Sequence, residues 1–144
     1  MKLKVYFFVN KGINSATARF RGYLFADKIQ TDYNTKIVRV DELYNRYIFN
    51  FIRIKKLINY FNTVKNTNKN DVIYLVKTVY NIDFLLIIIF SKIFLKKKII
   101  FDFDDAIYLK PFTKISTLIL TKISDIVIVG SNTLYSWSKK EIRI

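Results

Sequence analysis

The sequence predicts an α/β fold, a Rossmann-like parallel sheet of about five strands with helices on both faces. Two observations carry this expectation. Short β-rich apolar runs alternate with longer segments of helical periodicity from end to end. The runs are also continuously apolar rather than alternating, which is what strands buried on both faces of a parallel sheet require. The 144 residues, 51% of them hydrophobic and 17% aromatic, suffice for one ordinary core, so residues 1–144 read as a single domain.

Each element has its own local reason. LKVYFFV (3–9) is a strand, and Asn10-Lys11-Gly12 is a turn after it. Asn14 or Ser15 can cap a helix reaching about residue 30, with Phe20, Leu24 and Phe25 at helical spacing. KIVRV (36–40) is the second strand. A second helix over 44–61 carries Tyr44, Ile48, Phe51, Ile58 and Phe61 along one face. KNTNKN (65–70) is a surface connection and DVIYLV (71–76) the third strand. An apolar helix over 80–95 ends on Lys96-Lys97-Lys98, where cations favour the helix dipole. The fourth strand is 99–103. Pro111 suits the first turn of a helix ending near Ile123. DIVIVG (125–130) is the fifth strand, and Ser131 can cap a last helix through Trp137.

Composition excludes several chemistries. Without cysteine there is no disulfide framework and no thiolate metal site. Without histidine there is no Ser–His or Cys–His nucleophile, and the commonest general base is missing. A formal net charge of +14, from 25 basic and 11 acidic side chains, predicts attraction to polyanions. Lys far outnumbers Arg, and Ile, Asn, Phe and Tyr abound, as AT-rich coding produces, so charge alone is a weak guide to partners. No secretory signal is evident, and the longest apolar stretch, 82–95, is too short to span a bilayer. The expected location is the cytoplasm, including the inner face of its membrane. The second helix, with Arg46, Arg53, Lys55 and Lys56 among Tyr47, Phe49, Ile52 and Tyr60, is able to lie in a membrane interface or simply to pack on the sheet.

The chemistry should lie at the carboxyl ends of the strands, where open α/β sheets place ligands. That rim collects Asn10, Lys11 and Gly12; Asp41; Lys77; Asp104 and Asp105; and Ser131 and Asn132. The stretch FDFDDAIYL (101–109) stands out, because Asp102, Asp104 and Asp105 close a strongly apolar run and buried carboxylates need partners. A helix cap or a lysine pairing would account for any one of them. Lys77, directly after an apolar strand, has Asp104 or Asp105 as a natural partner. Arg19 and Arg21 could grip an anion or line a solvated helix face. Gly12 is either a plain turn or a place where a ligand approaches backbone. There is no complete GxGxxG or GxxxxGK[ST] motif.

Four segments, NSATARFRGYLFADKI, DVIYLVK, KKIIFDFDDAIYL and SDIVIVGSNTLYSW, occur in an order that resembles the amino-terminal domain of GT-B glycosyltransferases of the family-4 retaining type. The resemblance implies an acceptor-binding domain whose partner domain holds the nucleotide sugar. Lys11 and Gly12 would flank the inter-domain cleft, Arg19 and Arg21 would face the acceptor, and Lys77 with Asp104 and Asp105 would line its floor. Ser131 and Asn132 would close the far side. Asp104 or Asp105 would orient the acceptor hydroxyl, as the catalytic pair. The sequence stops at Ile144, before the family's donor domain with its Glu-x7-Glu motif, so this chain alone is expected to be inactive. The partners the resemblance implies are a sugar or lipid-linked acceptor and a separate donor-domain chain; the charge and the second helix add an anionic membrane surface, and no specific nucleic acid is expected. No cofactor or metal is expected on this chain, the nucleotide sugar belonging to the other domain.

The same residues allow two other readings. FDFDDAIY also resembles the first motif of haloacid-dehalogenase-type phosphatases, with Asp102 as nucleophile, Asp104 as acid/base and magnesium between them. Ala106 stands where that motif has Thr or Val, and too little chain follows for its later residues. A non-catalytic basic module binding anionic membrane or nucleic acid would explain the charge without further assumption.

Overall fold

A computed structural model describes residues 2–40, 51–77 and 81–142, without the side chains of 51, 52 and 112. Asp41 and the first part of the expected second helix lie outside the described residues.

Five strands form one all-parallel sheet: β1 (Lys4–Val9), β2 (Asn34–Arg39), β3 (Val72–Val76), β4 (Lys98–Phe103) and β5 (Ile126–Val129). Their spatial order is β2-β1-β3-β4-β5. The Rossmann-like α/β class predicted from the sequence is therefore the observed one. β1 and β3 are neighbours, with the chain leaving β1 for one edge and β3 for the other. Their carboxyl ends form the topological switch point, where doubly wound sheets bind ligands.

The helices are α1, π-helical over Ala18–Tyr23 and α-helical over Leu24–Ile29; α2 (Phe51–Lys65); α3 (Ile82–Ile93); α4 (Pro111–Ile123); and α5 (Asn132–Ile142). A short 3-10 turn, Ile107–Leu109, precedes α4. Pro111 opens α4, as its fixed φ favours. Ser131 caps α5, its Oγ accepting the Leu134 N–H at 3.3 Å.

The core has two unequal halves because strand side chains alternate. Tyr6, Phe8, Ile73, Leu75, Ile99, Phe101 and Phe103 point one way, under Tyr60 and Val64 of α2, Phe84, Leu85 and Ile88 of α3, Leu120 of α4 and Leu134 of α5. Val5, Phe7, Val9, Tyr74 and Val76 point the other way, covered by α1. One helix cannot span five strands. Ile126 and Ile128 of β5, which face this second side, remain exposed.

Two helix faces differ from the sequence expectation. In α1 the side chains against the sheet are Ala18, Gly22 and Ala26, whereas Phe20 and Leu24 face outward. Small residues let this helix lie close: a Cβ at Gly22 would stand 2.8 Å from Val9 Cγ2. Phe25 is the exception among the expected three, its ring edge-on to Phe7 at 6.0 Å. In α2, Ile58 is exposed, while Tyr60, assigned to the polar-aromatic face, is buried and donates its hydroxyl to the Arg39 carbonyl at 2.6 Å. The helix runs on to Lys65, and its core stripe is Leu57, Tyr60 and Val64.

Carboxylates also pin the amino-terminal ends of the strands. Buried Asp71 accepts the Lys4 N–H at 3.1 Å and the Asn68 N–H at 2.7 Å, joining the starts of β1 and β3. Asp125 accepts the Ile99 N–H at 2.8 Å and Lys92 Nζ at 2.6 Å. Burial raises the Asp125 carboxyl pKa, but these hydrogen bonds outweigh it and leave the group below its ordinary value.

Gly22→Ala should destabilise the protein by about 1–2 kcal/mol, since overpacking against Val9 exceeds the gain in helix propensity. Urea denaturation measures this. In a double-mutant cycle the Val9→Ala change should offset part of the loss, and independent effects would show that the two positions are not in contact.

Candidate functional site

The carboxyl end of β4 is organised by a carboxylate that never reaches the surface. Asp102 is 2% exposed. Tyr74 on β3 donates its hydroxyl to Asp102 Oδ2 at 2.8 Å, and Arg21 on α1 forms an ion pair with Oδ1. Burial pushes the Asp102 carboxyl above its ordinary value, while the Tyr74 hydrogen bond and the Arg21 charge hold it back. Burial, and then the Asp102 charge and hydrogen bond, push the Tyr74 phenol far above its own ordinary value. It therefore stays protonated and donates at every physiological pH.

This arrangement gives Arg21, expected to face an acceptor, internal partners: its guanidinium pairs with Asp102 and approaches Asp104, with Nε 3.6 Å from Oδ2, while its side chain stays 26% exposed. Arg19 is not part of the cluster; it is exposed, with its guanidinium 5.0 Å from the centre of the Phe20 ring. Asp102, the nucleophile of the phosphatase-like reading, is buried with both oxygens held by Tyr74 and Arg21, which leaves neither open to a substrate.

Asp104 and Asp105 leave the strand on its solvent side. Thr17 Oγ1 donates to Asp104 Oδ2 at 3.0 Å. Lys77 pairs with Asp105, and its Nζ lies 3.7 Å from Asp104 Oδ1. That oxygen is buried and accepts no hydrogen bond from the described residues, so it keeps capacity to accept one. Gly130, after β5, abuts the same residue: a Cβ there would lie 3.1 Å from Asp104 Cα and 3.2 Å from the Arg21 guanidinium. A side chain there would force its neighbours to give by a few tenths of an ångström, and glycine lets the end of β5 lie close against Asp104.

Beside the carboxylates is a cavity of about 270 Å³ lined by Asn10, Lys11, Ser15, Thr17, Lys77, Asp105 and Lys110. It lies at the β1/β3 switch point. Three lysines and one carboxylate line it, together with two hydroxyls and an amide. The residues leaving β1 and β3, Lys11 (φ 77°) and Lys77 (φ 50°), both have left-handed backbone. Non-glycine residues in that region carry a conformational cost and gather where function over-determines the backbone. Gly12 has no positive φ, nor has any glycine among the described residues, and a Cβ at Gly12 would meet only the Arg39 side chain, at 3.4 Å. The strain falls one residue earlier, on a lysine.

The structure thus brings Lys11, Lys77 and Asp105 to one cavity, with Asp104 adjacent; Gly12 does not line it. Ser131 and Asn132 sit at the neighbouring end of β5, exposed, and do not line it. Sequence reasoning missed Lys110, Ser15 and Thr17 as lining residues and Tyr74 as the partner of Asp102. Lys110 lies beyond the strand end and carried no signal; Tyr74 could have been suspected, as a hydroxyl inside a strand that must find a partner.

The fold and this rim define an α/β protein of the Rossmann-like class with a basic pocket at its switch point. No protein-family model matches the chain, and no curated protein matches it in sequence. Among the described residues no helix is long and apolar enough to cross a membrane, and no three His, Cys, Asp or Glu side chains converge to hold a metal ion.

Tyr74→Phe should cost about 1–3 kcal/mol by leaving a buried carboxylate oxygen without its donor. It should also move the Asp102 carboxyl further up. A raised folded-state value means that stability falls as pH climbs from the unfolded value, about 3.9, through the folded one. That falling window should widen in the variant. Carboxyl-resolved NMR titration with urea denaturation across the acid range measures both, and an unmoved Asp102 would show that the hydroxyl does not govern it.

Proposed function

We propose that this chain is the acceptor-side domain of a GT-B-type glycosyltransferase, binding a hydroxylated, anionic acceptor at the β1/β3 switch point. The nucleotide-sugar donor is held by a second domain or chain. The observation that carries the reading is the cavity where Lys11, Lys77 and Lys110 surround one end of the Asp104–Asp105 pair. The order of the four sequence segments supports the same assignment.

The chemistry divides between two groups of residues. Lysines are point-charge donors that attract a phosphate or carboxylate without imposing planar geometry. Asn10, Ser15 and Thr17 offer hydrogen bonds suited to sugar hydroxyls. Asp104 and Asp105 accept hydrogen bonds from the hydroxyl that attacks the donor sugar and orient it. Transfer requires a second wall, because an open rim neither excludes water nor aligns donor with acceptor.

Titration with inorganic phosphate and then a hexose monophosphate, followed by amide NMR, tests the binding half of this reading. Saturable shifts are expected at Asn10, Lys11, Lys77 and Lys110, with the hexose monophosphate binding more tightly than phosphate. Lys11→Gly should raise stability by about 0.5–1 kcal/mol by relieving the left-handed backbone while weakening the anion several-fold. Asp104→Asn and Asp105→Asn should weaken the sugar phosphate and abolish transfer when a donor domain and nucleotide sugar are supplied. Intact binding and transfer in both aspartate variants would overturn the assignment.

A further inference from the structure

On the side of the sheet away from α1, the middle helix presents a second surface that the pocket does not use. α3 buries Phe84, Leu85, Ile88 and Ser91. Its opposite side is not polar, as a solvent-facing stripe would be. Ile82, Leu86 and Ile93 fall at four- and seven-residue intervals along one line, and Phe94 follows directly. All four are between 59% and 69% exposed. The ridge is about 16 Å long at the helical rise. It continues laterally onto α2, where the Phe61 ring lies 5.5 Å from that of Phe90, Phe90 stacks on Phe94 at 4.9 Å, and Ile54 and Ile58 are exposed. An exposed apolar surface shared by two helices is larger than the scattered apolar residues of an ordinary surface.

Among the described residues, the exposed charges at the margins of this ridge are lysines. Lys55 and Lys65 lie three residues before and seven after Ile58 on α2, and Lys96 follows the end of α3; all three are exposed. The acids of the same region are already engaged: Asp83 pairs with Arg53, and Asp71 is buried beneath the strand starts. Apolar side chains on parallel helix surfaces with lysines at their margins match a bilayer whose headgroups are anionic and whose acyl region begins just below.

We propose that the α2–α3 face is a docking surface for an anionic lipid bilayer, with Leu86, Ile93 and Phe94 entering the headgroup–acyl boundary and Lys55, Lys65 and Lys96 engaging lipid phosphates. This surface is formed by α2 and α3. It is independent of the glycosyltransferase reading, since the pocket residues take no part in it.

Co-sedimentation of the full chain with vesicles of phosphatidylcholine, with and without phosphatidylglycerol, tests the proposal. Binding is expected only when phosphatidylglycerol is present. The variant Leu86→Ser/Ile93→Ser/Phe94→Ser, altered only at exposed positions, should lose about tenfold or more in partitioning. Lys55→Gln/Lys65→Gln/Lys96→Gln should lose the preference for phosphatidylglycerol. The chain has no cysteine, so Ile93→Cys carries a single environment-sensitive dye, whose emission should shift to the blue on phosphatidylglycerol vesicles. This second readout does not depend on how well the triple variants fold. Absence of binding, an unshifted dye, or serine-variant partitioning equal to that of the parent chain would overturn the proposal. So would a dimer that ignores vesicles and is dissolved by the serine substitutions, which would give the face to a second copy of the chain.

Discussion

A carboxylate inside a parallel sheet needs compensation from several directions, and around Asp102 that need organises this molecule. Its two oxygens are taken by different elements: Tyr74 from the adjacent strand β3, and Arg21 from the helix that covers the opposite end of the chain's order. Neither pairing is local in sequence. Once both are made, β4 is held against β3, α1 is held against the sheet, and the next residues along β4 can point in only one direction. The rim position of Asp104 and Asp105 is a consequence of where Asp102 is anchored. A buried ion pair of this kind adds little net stability over an apolar equivalent, but losing one partner is costly because the other stays buried.

Around that anchor the electrostatics are layered. Arg21 sits inside, between Asp102 and Asp104; Lys77 lies next, against Asp104 and Asp105; Lys11 and Lys110 stand furthest out, beside the cavity. The inner cation is a planar guanidinium suited to gripping carboxylates, and the outer ones are flexible ammonium groups. Placing the left-handed backbone on Lys11 and Lys77 keeps both side chains at the mouth of the sheet. An extended lysine at either position would continue the strand instead.

The strands were legible in the sequence because central strands of a parallel sheet are apolar on both faces, and KVYFFV and VIYLV could be little else. The rim was legible for a related reason: in this topology every strand end faces the same side. Helix faces were harder. Phe20 and Leu24 carry the larger apolar surface and were expected inside, yet α1 packs through Ala18, Gly22 and Ala26, because close approach to Val9 excludes anything bigger. Periodicity finds apolar stripes but cannot weigh a small-residue stripe against a bulky one. The partners of Arg21 were missed for a different reason. Whether a guanidinium faces solvent or a buried carboxylate depends on a contact 81 residues away, which no local pattern encodes. Lys110 was missed because it reaches the pocket from the loop ahead of α4 rather than from a strand end.

The uneven cover of the sheet bears on how the molecule breathes. Among the described residues four helices load one side, whereas the other has a single helix, and Ile126 and Ile128 of the edge strand β5 are exposed beyond it. Local opening starts where the fewest apolar contacts must be lost. Here that is β5, which is paired on one side only and is just four residues long. Its amide protons should exchange with solvent well before those of β1 and β3. Because Gly130 rests against Asp104, each such fluctuation loosens one side of the acidic rim while the lysine side, carried on the two innermost strands, stays rigid.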